Sequence, residues 1–145
     1  DYLKDSTSQL IKSLDKEFID YFEYIAFKFH PNNNLSHILN STKIKLLEGD
    51  LSEIIKDFDI VISSQYTSAV EDAILECKPV FILQDPEMFK LNLNKSTQGI
   101  NFVSSLNEII FLIENNLVNL PNNDVSPLFF YNNNYSLWNK IISEV

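Results

Sequence analysis

Residues 59–83 read DIVISSQYTSAVEDAILECKPVFIL, and this stretch decides the fold. It contains two short apolar runs, 60–62 and 79–83, of the kind that form strands covered on both faces. Between them, residues 67–77 have the apolar spacing of a helix. A strand, a helix and another strand in this order are typical of parallel strands joined by a helical crossover. The stretch therefore predicts an α/β fold built on a parallel sheet.

The same alternation continues in both directions along the chain. Further strands are predicted at 24–29, 43–47 and 101–103, and further helices at 6–22, 35–40, 51–57 and 106–116. Residues 116–145 are predicted to form an Asn- and Pro-rich loop and then a helix from Tyr135 that carries Trp138. Strand and helix alternation of this kind indicates a Rossmann-like parallel sheet flanked by helices on both faces, in one domain over residues 1–145.

Composition limits the classes of function. The chain has 145 residues, a net charge of −9, eleven Lys and no Arg. This charge argues against binding of duplex nucleic acid or docking on anionic lipid, both of which need a basic surface. The single cysteine, Cys77, excludes a disulfide framework within the chain and favours a reducing compartment. We interpret Cys77 as a small packing residue.

Targeting signals are absent from the chain as given. No stretch is as long as a membrane span, and residues 1–5 do not resemble a signal peptide. The expected location is the cytoplasm.

A cluster of hydroxyl residues follows the strand at 60–62. Its members are Ser63, Ser64, Tyr66, Thr67 and Ser68. In open parallel sheets, ligands bind at the carboxyl ends of strands, and a helix that begins there offers unpaired N–H groups to phosphate. The cluster predicts a neutral phosphate site. The alternative is that Thr67 or Ser64 simply caps the helix.

A second polar segment, Lys28-Phe29-His30-Pro31, ends the strand at 24–29. His30, fixed by Pro31, could donate a hydrogen bond to a phosphate or to the polar edge of a nucleotide, or could be a turn residue. Asp72, on the helix after the hydroxyl cluster, could accept hydrogen bonds from a ribose diol, or could be a solvated helix residue. His37 is interpreted as structural.

Several cofactor sites are excluded by residue type. With two glycines in the chain, neither a Walker loop nor a dinucleotide fingerprint can be present. No spaced set of His, Cys and Asp predicts a metal site. We therefore expect neither a cofactor nor a metal.

Residues 59–80 resemble the donor-binding signature of GT-B glycosyltransferases, and in particular that of the CDP-glycerol glycerophosphotransferases. The match lies in Tyr66-Thr67-Ser68, Asp72 and Lys78-Pro79-Val80 at the family's spacings. The His30-Pro31 pair is similar to the Lys-x-His-Pro of these enzymes and of bacterial sialyl- and polysialyltransferases. The resemblance covers about residues 6–116. It departs from the glycerophosphotransferases at Gln65, where they have Asp.

The resemblance implies that the chain is the C-terminal half of a GT-B fold, in a transferase that makes bacterial surface polysaccharide. His30 would be the catalytic group that stabilises the departing phosphate, Pro31, Thr67 and Ser68 would complete that site, and Asp72 would meet the ribose. The donor would be CMP-, CDP- or UDP-linked, and the lack of Arg favours a monophosphate of the CMP type.

The resemblance also implies a partner. An N-terminal domain, absent from this chain, would supply the acceptor site and usually the catalytic base. We expect this chain to transfer nothing by itself, and the missing region could attach the enzyme to the inner face of the membrane. Two alternatives stay open, which are a sugar-nucleotide 2-epimerase-like domain and a non-catalytic nucleotide-binding or interaction module of the same fold.

Overall fold

The computed structural model describes residues 10–29, 43–64, 68–84 and 98–122, which form an α/β protein with short parallel strands flanked by helices. Residues 10–13 are helical. The elements that follow are α1 (Lys16–Tyr21), β1 (Ile25–Phe27), β2 (Ile44–Leu46), α2 (Leu51–Ile54), a 3₁₀ turn (Ile55–Asp57), β3 (Val61–Ser63), α3 (Ser68–Leu75), β4 (Val80–Leu83), β5 (Ile100–Val103) and α4 (Leu106–Glu114).

The strands form two sheets. One contains β1 and β2, and the other has the order β3-β4-β5; every neighbouring pair is parallel. The predicted parallel pairing is confirmed. The sequence pattern predicts one sheet, however, and across the described ranges no ladder joins β1 to β3. The two sheets instead face each other across a cavity.

Helices cover both faces of the three-stranded sheet. Alternate residues of β4 belong to two core clusters, with Val80 and Ile82 in one and Phe81 in the other. The first cluster includes side chains of α3, and the second includes Phe18 of α1 and Ile109 of α4. Because both faces of β4 are buried, its residues must be apolar throughout, and this is why the run at 80–83 is a reliable strand signal.

The helix predicted at 6–22 is broken in its described part. Residues 10–13 form one helical segment, and α1 begins again at Lys16. Asp15 caps α1, since its carboxylate accepts a hydrogen bond of 2.8 Å from the backbone N–H of Phe18. The apolar spacing continues through the break, so the sequence pattern does not predict it. The local hydrogen bond from the Asp15 side chain outweighs helix continuation here.

Two helices end in the same backbone motif. At the end of α3, Cys77 has φ 54°, and the N–H groups of Cys77 and Lys78 donate to the carbonyls of Ile74 and Ala73. This is a Schellman motif, with a left-handed residue just past the helix. Asn116 has the same role after α4, with φ 55°. Cys77 is exposed, so its interpretation as a packing residue is wrong.

Residues 117–122 follow α4 without regular structure, as the loop prediction requires, and are fastened to β5 by Asn101 and Asn119. The Asn101 side chain, which is buried, donates to the carbonyls of Val80 and Asn119, both at 3.2 Å, and accepts from the Asn119 N–H at 2.7 Å. The Asn119 side chain donates to the carbonyl of Ile100 at 3.1 Å. We call these four bonds the Asn101–Asn119 clasp.

The helices predicted at 35–40 and from Tyr135 lie outside the described residues. In the four described segments, each helix is too short to cross a bilayer.

Candidate ligand-binding site

A cavity of about 1050 Å³ separates the two sheets. Ligand cavities in proteins usually have volumes of about 300–1,000 Å³. Its lining includes Leu51 and Ile55, from the α2 side of the molecule, and Leu106 and Ile113, from α4 on the other side. A cavity can reach both faces here because β1 and β3 are not hydrogen-bonded to each other.

The carboxyl end of the cavity contains residues from both polar segments of the sequence. Lys28 and Phe29 come from the end of β1, and Ser63, Ser64 and Ser68 come from the end of β3 and the start of α3. Ser63 and Ser64 are half-buried, and Ser68 is exposed. The segments are more than thirty residues apart in the chain. Both segments nevertheless line the same cavity.

Charge is unevenly distributed along the cavity. Lys28 is at the carboxyl end, whereas the carboxylates that line the cavity, Glu23, Asp57 and Asp59, precede β1 and β3 at the amino end. The amino terminus of the eight-residue helix α3 adds partial positive charge beside Ser68. Binding of an anion is therefore favoured at the carboxyl end of the cavity and disfavoured at its amino end.

Lys28 also organises the loop between β2 and α2. Its Nζ donates to the carbonyl of Gly49 at 2.6 Å. The next residue, Asp50, caps α2 and accepts from the Ser52 N–H at 3.1 Å and from the Ser52 hydroxyl at 3.0 Å. These two hydrogen bonds lower the pKa of the Asp50 carboxyl, with a smaller effect from the charge of Lys28. Lys28 thus fixes one wall of the site through a single bond to backbone.

A second helix terminus, at α4, has the same residue types but is already occupied. Ser105 caps α4 by accepting from the Glu108 N–H at 3.3 Å. The Glu108 carboxylate accepts from the N–H of Ser104 at 2.7 Å and from its hydroxyl at 2.8 Å. The Ser105 hydroxyl therefore satisfies one N–H group of α4, and a carboxylate of the protein itself is held on Ser104, just before the helix. The motif Ser105-Leu106-Asn107-Glu108 signals this arrangement in the sequence.

Of the remaining predicted site residues, only Asp72 lies within the described ranges. Asp72 is half-buried on α3, one turn beyond Ser68, and does not line the cavity. His30, Pro31, Tyr66 and Thr67 lie outside the described residues. Their roles stay predictions. Lys28 is the residue that the sequence argument did not select, although it stands in the quoted segment two positions before His30.

Two stacked aromatic rings line the amino end of the cavity. Tyr24, just before β1, stacks on Phe58, which precedes β3, with ring centroids 5.5 Å apart and an interplanar angle of 17°. The Nζ of Lys45 lies 4.9 Å from the centre of the Tyr24 ring. This stack is a direct side-chain contact between residues flanking the two sheets.

A metal site is not found among the described residues, where no group of three His, Cys, Asp or Glu side chains could hold an ion. Within the described ranges, the site offers hydroxyl groups, the Lys28 ammonium group and a helix terminus, all of which can bind anions.

Comparison with protein-family models, with curated proteins and with solved structures finds no match to this chain.

Proposed function

We propose that this chain is the donor-nucleotide-binding domain of a transferase, for glycosyl or glycerophosphate transfer, in bacterial surface polysaccharide synthesis. The observation that carries the proposal is that Lys28, at the end of β1, lines the same cavity as Ser63, Ser64 and Ser68, at the end of β3 and the start of α3. The resemblance of residues 59–80 to the GT-B donor signature supplies the class of reaction. The α/β fold with parallel strands is compatible with a Rossmann-like half of such an enzyme.

The chemistry assigned to this domain is stabilisation of a leaving group. As the bond to the donor phosphate breaks, negative charge grows on the phosphate oxygens. The Lys28 ammonium, the serine hydroxyls and the N–H groups at the start of α3 would donate to those oxygens. His30 would add a further donor. The catalytic base and the acceptor would come from the partner domain.

Nuclear magnetic resonance of the chain with CMP, CDP or UDP tests the site. We expect the amide signals of Ser63, Ser64 and Ser68 to shift on titration, together with that of His30. Ser104 and Ser105 provide an internal control, because Glu108 already occupies that helix terminus. Saturating nucleotide that moves none of the first four signals, or moves the control equally, would contradict the proposal.

Kinetics of the complete enzyme test the role of the hydroxyl. Ser68→Ala should lower kcat/KM by about one to two decades, because a hydrogen bond to a charged group contributes about 1.5–3 kcal/mol. Ser104→Ala is the matched control and should leave kcat/KM unchanged, since Ser104 bonds to Glu108. Equal losses in the two variants would show that Ser68 has a structural role.

A further inference from the structure

β1 and β3 face each other across the cavity with backbone groups directed into it. The carbonyl of Phe27 accepts from the Leu47 N–H at 2.8 Å, so the backbone of Phe27 points toward β2. The N–H of Val61 donates to the Pro79 carbonyl at 3.0 Å, so Val61 points toward β4. Successive residues of a strand alternate in direction. Ala26 and Ile62, which both line the cavity, therefore direct their N–H and C=O groups away from the existing ladders and toward the gap.

Several apolar side chains lie near these groups. Ile25, Phe27, Ile60 and Ile62 line this part of the cavity and pack against one core cluster. Backbone N–H and C=O groups are strongly favoured to pair when apolar side chains surround them. Pairing of β1 with β3 would satisfy both edges and bury more apolar surface.

The contacts along the cavity indicate that the two strands run in the same direction. The Tyr24–Phe58 stack joins their amino ends, and Lys28 and Ser63 line the cavity at their carboxyl ends. A β1–β3 ladder would therefore be parallel, like the three ladders already present. The resulting order would be β2-β1-β3-β4-β5.

We propose that the chain has a closed state, in which β1 and β3 pair and the two sheets become one five-stranded parallel sheet. The Tyr24–Phe58 stack is the pivot, because it already connects the sheets at their amino ends. Closure then moves the carboxyl ends most. It brings Lys28 toward Ser63, Ser64 and Ser68, and it narrows the cavity.

Closure is linked to the ligand through the same residues. An anion held between Lys28 and the start of α3 contacts both sheets, so it binds the closed state more tightly and raises its population. This link rests on the proposed nucleotide-binding function. The closed state itself depends on the strand edges alone.

Distances between pairs of spin labels test closure. Labels on Glu48→Cys and Asn107→Cys, in a Cys77→Ser background, report on the carboxyl ends of the two sheets. We expect a second, shorter distance, whose population rises when CMP is added. A control pair on Glu23→Cys and Gln98→Cys lies at the amino ends of the two sheets, which closure moves least, so its distance should change less.

Amide hydrogen exchange gives an independent reading without substitutions. The amides of Ala26 and Ile62 should exchange more slowly than loop amides, while Phe81, in the central strand of its sheet, is the protected reference. A shorter distance and slow exchange that do not respond to CMP would support closure and contradict the nucleotide link. A single distance, with Ala26 and Ile62 exchanging as fast as loop amides with and without CMP, would overturn the closed state.

Discussion

Cys77 occupies a backbone position that suits glycine. With φ 54° it is left-handed, and a side chain in this conformation costs about 1–2 kcal/mol. We predict that Cys77→Gly raises the free energy of unfolding by about 1 kcal/mol, measured by urea denaturation. Cys77→Ala keeps the strained Cβ and should give no such gain. Gly and Ala variants of equal stability would contradict the assignment of strain to this residue.

Gly99 is required for a different reason. Its φ is +83°, and an added Cβ would lie 2.8 Å from the Cβ of Pro121. Gly99→Ala should therefore lower the free energy of unfolding by about 2 kcal/mol, through both the left-handed backbone and the clash. The contribution of the Pro121 side chain can be isolated, since Pro121→Gly removes the opposing Cβ and leaves the Pro121 Cα and N, at 3.1 and 3.3 Å. In a double-mutant cycle, the loss caused by Gly99→Ala should be smaller in the Pro121→Gly background. An unchanged loss would mean that the contact with the Pro121 Cβ contributes nothing to it.

At the scale of elements, the cap of α4 is the clearest local determinant. Ser105→Ala removes the acceptor for the Glu108 N–H and should cost about 1 kcal/mol of unfolding free energy. Ser105→Asp restores a side-chain acceptor that is also favoured at helix N-caps, and it should recover most of that loss. Thermal melts of the three proteins measure the effect. If Ser105→Asp recovers none of the lost stability, the hydrogen bond to the Glu108 N–H is not its source.

The sequence predicts elements well where burial on both sides determines residue type. β4 is the best case, because neither face of 80–83 tolerates a polar residue. It predicts boundaries less well where a side chain competes with the backbone. Asp15 interrupts a helix whose apolar spacing continues without a break, and Cys77 ends one in a conformation that its residue type does not suggest.

At the scale of the whole molecule, pH sensitivity follows from exposed carboxylates. Hydrogen bonding to Lys43 lowers the pKa of Asp20, and hydrogen bonds from Ser52 lower that of Asp50, each from an ordinary value of 3.8. A group with a lowered folded-state pKa stabilises the fold above its unfolded pKa, and the contribution is lost as pH falls through the folded value. Stability should therefore decline below about pH 4.

Chemical denaturation as a function of pH measures this decline. In Asp50→Asn the residue can no longer titrate, so the slope of stability against pH below about pH 4 should be shallower than in the parent chain. Glu48→Gln is a suitable control, since it changes a neighbouring exposed carboxylate. An identical slope in the parent and in Asp50→Asn would contradict the assignment to Asp50.

Contacts between distant segments are what the sequence does not reveal. The polar segments at the ends of β1 and β3 can be found from residue types, and the general rule for parallel sheets predicts that they share an edge. Whether β1 pairs with β3 depends on how side chains from distant parts of the chain pack between them. No local sequence pattern therefore predicts that the two sheets are separate. Lys28 was not predicted as a site residue for the same reason, because its hydrogen bond to the Gly49 carbonyl joins residues 21 positions apart.

The Asn101–Asn119 clasp has a consequence for solubility at high concentration. β5 is the edge strand of its sheet among the described residues, and the Asn119 side chain donates to the outward-facing carbonyl of Ile100. The unpaired N–H and C=O groups of an edge strand can pair with a second chain. We therefore expect the Asn119 hydrogen bond to reduce self-association through β5. Asn119→Ala should show concentration-dependent light scattering that the parent chain lacks. Asn115→Ala, which removes a bond at the end of α4 instead, should scatter no more than the parent. Clear solutions of Asn119→Ala at every concentration would mean that other parts of the molecule protect this edge.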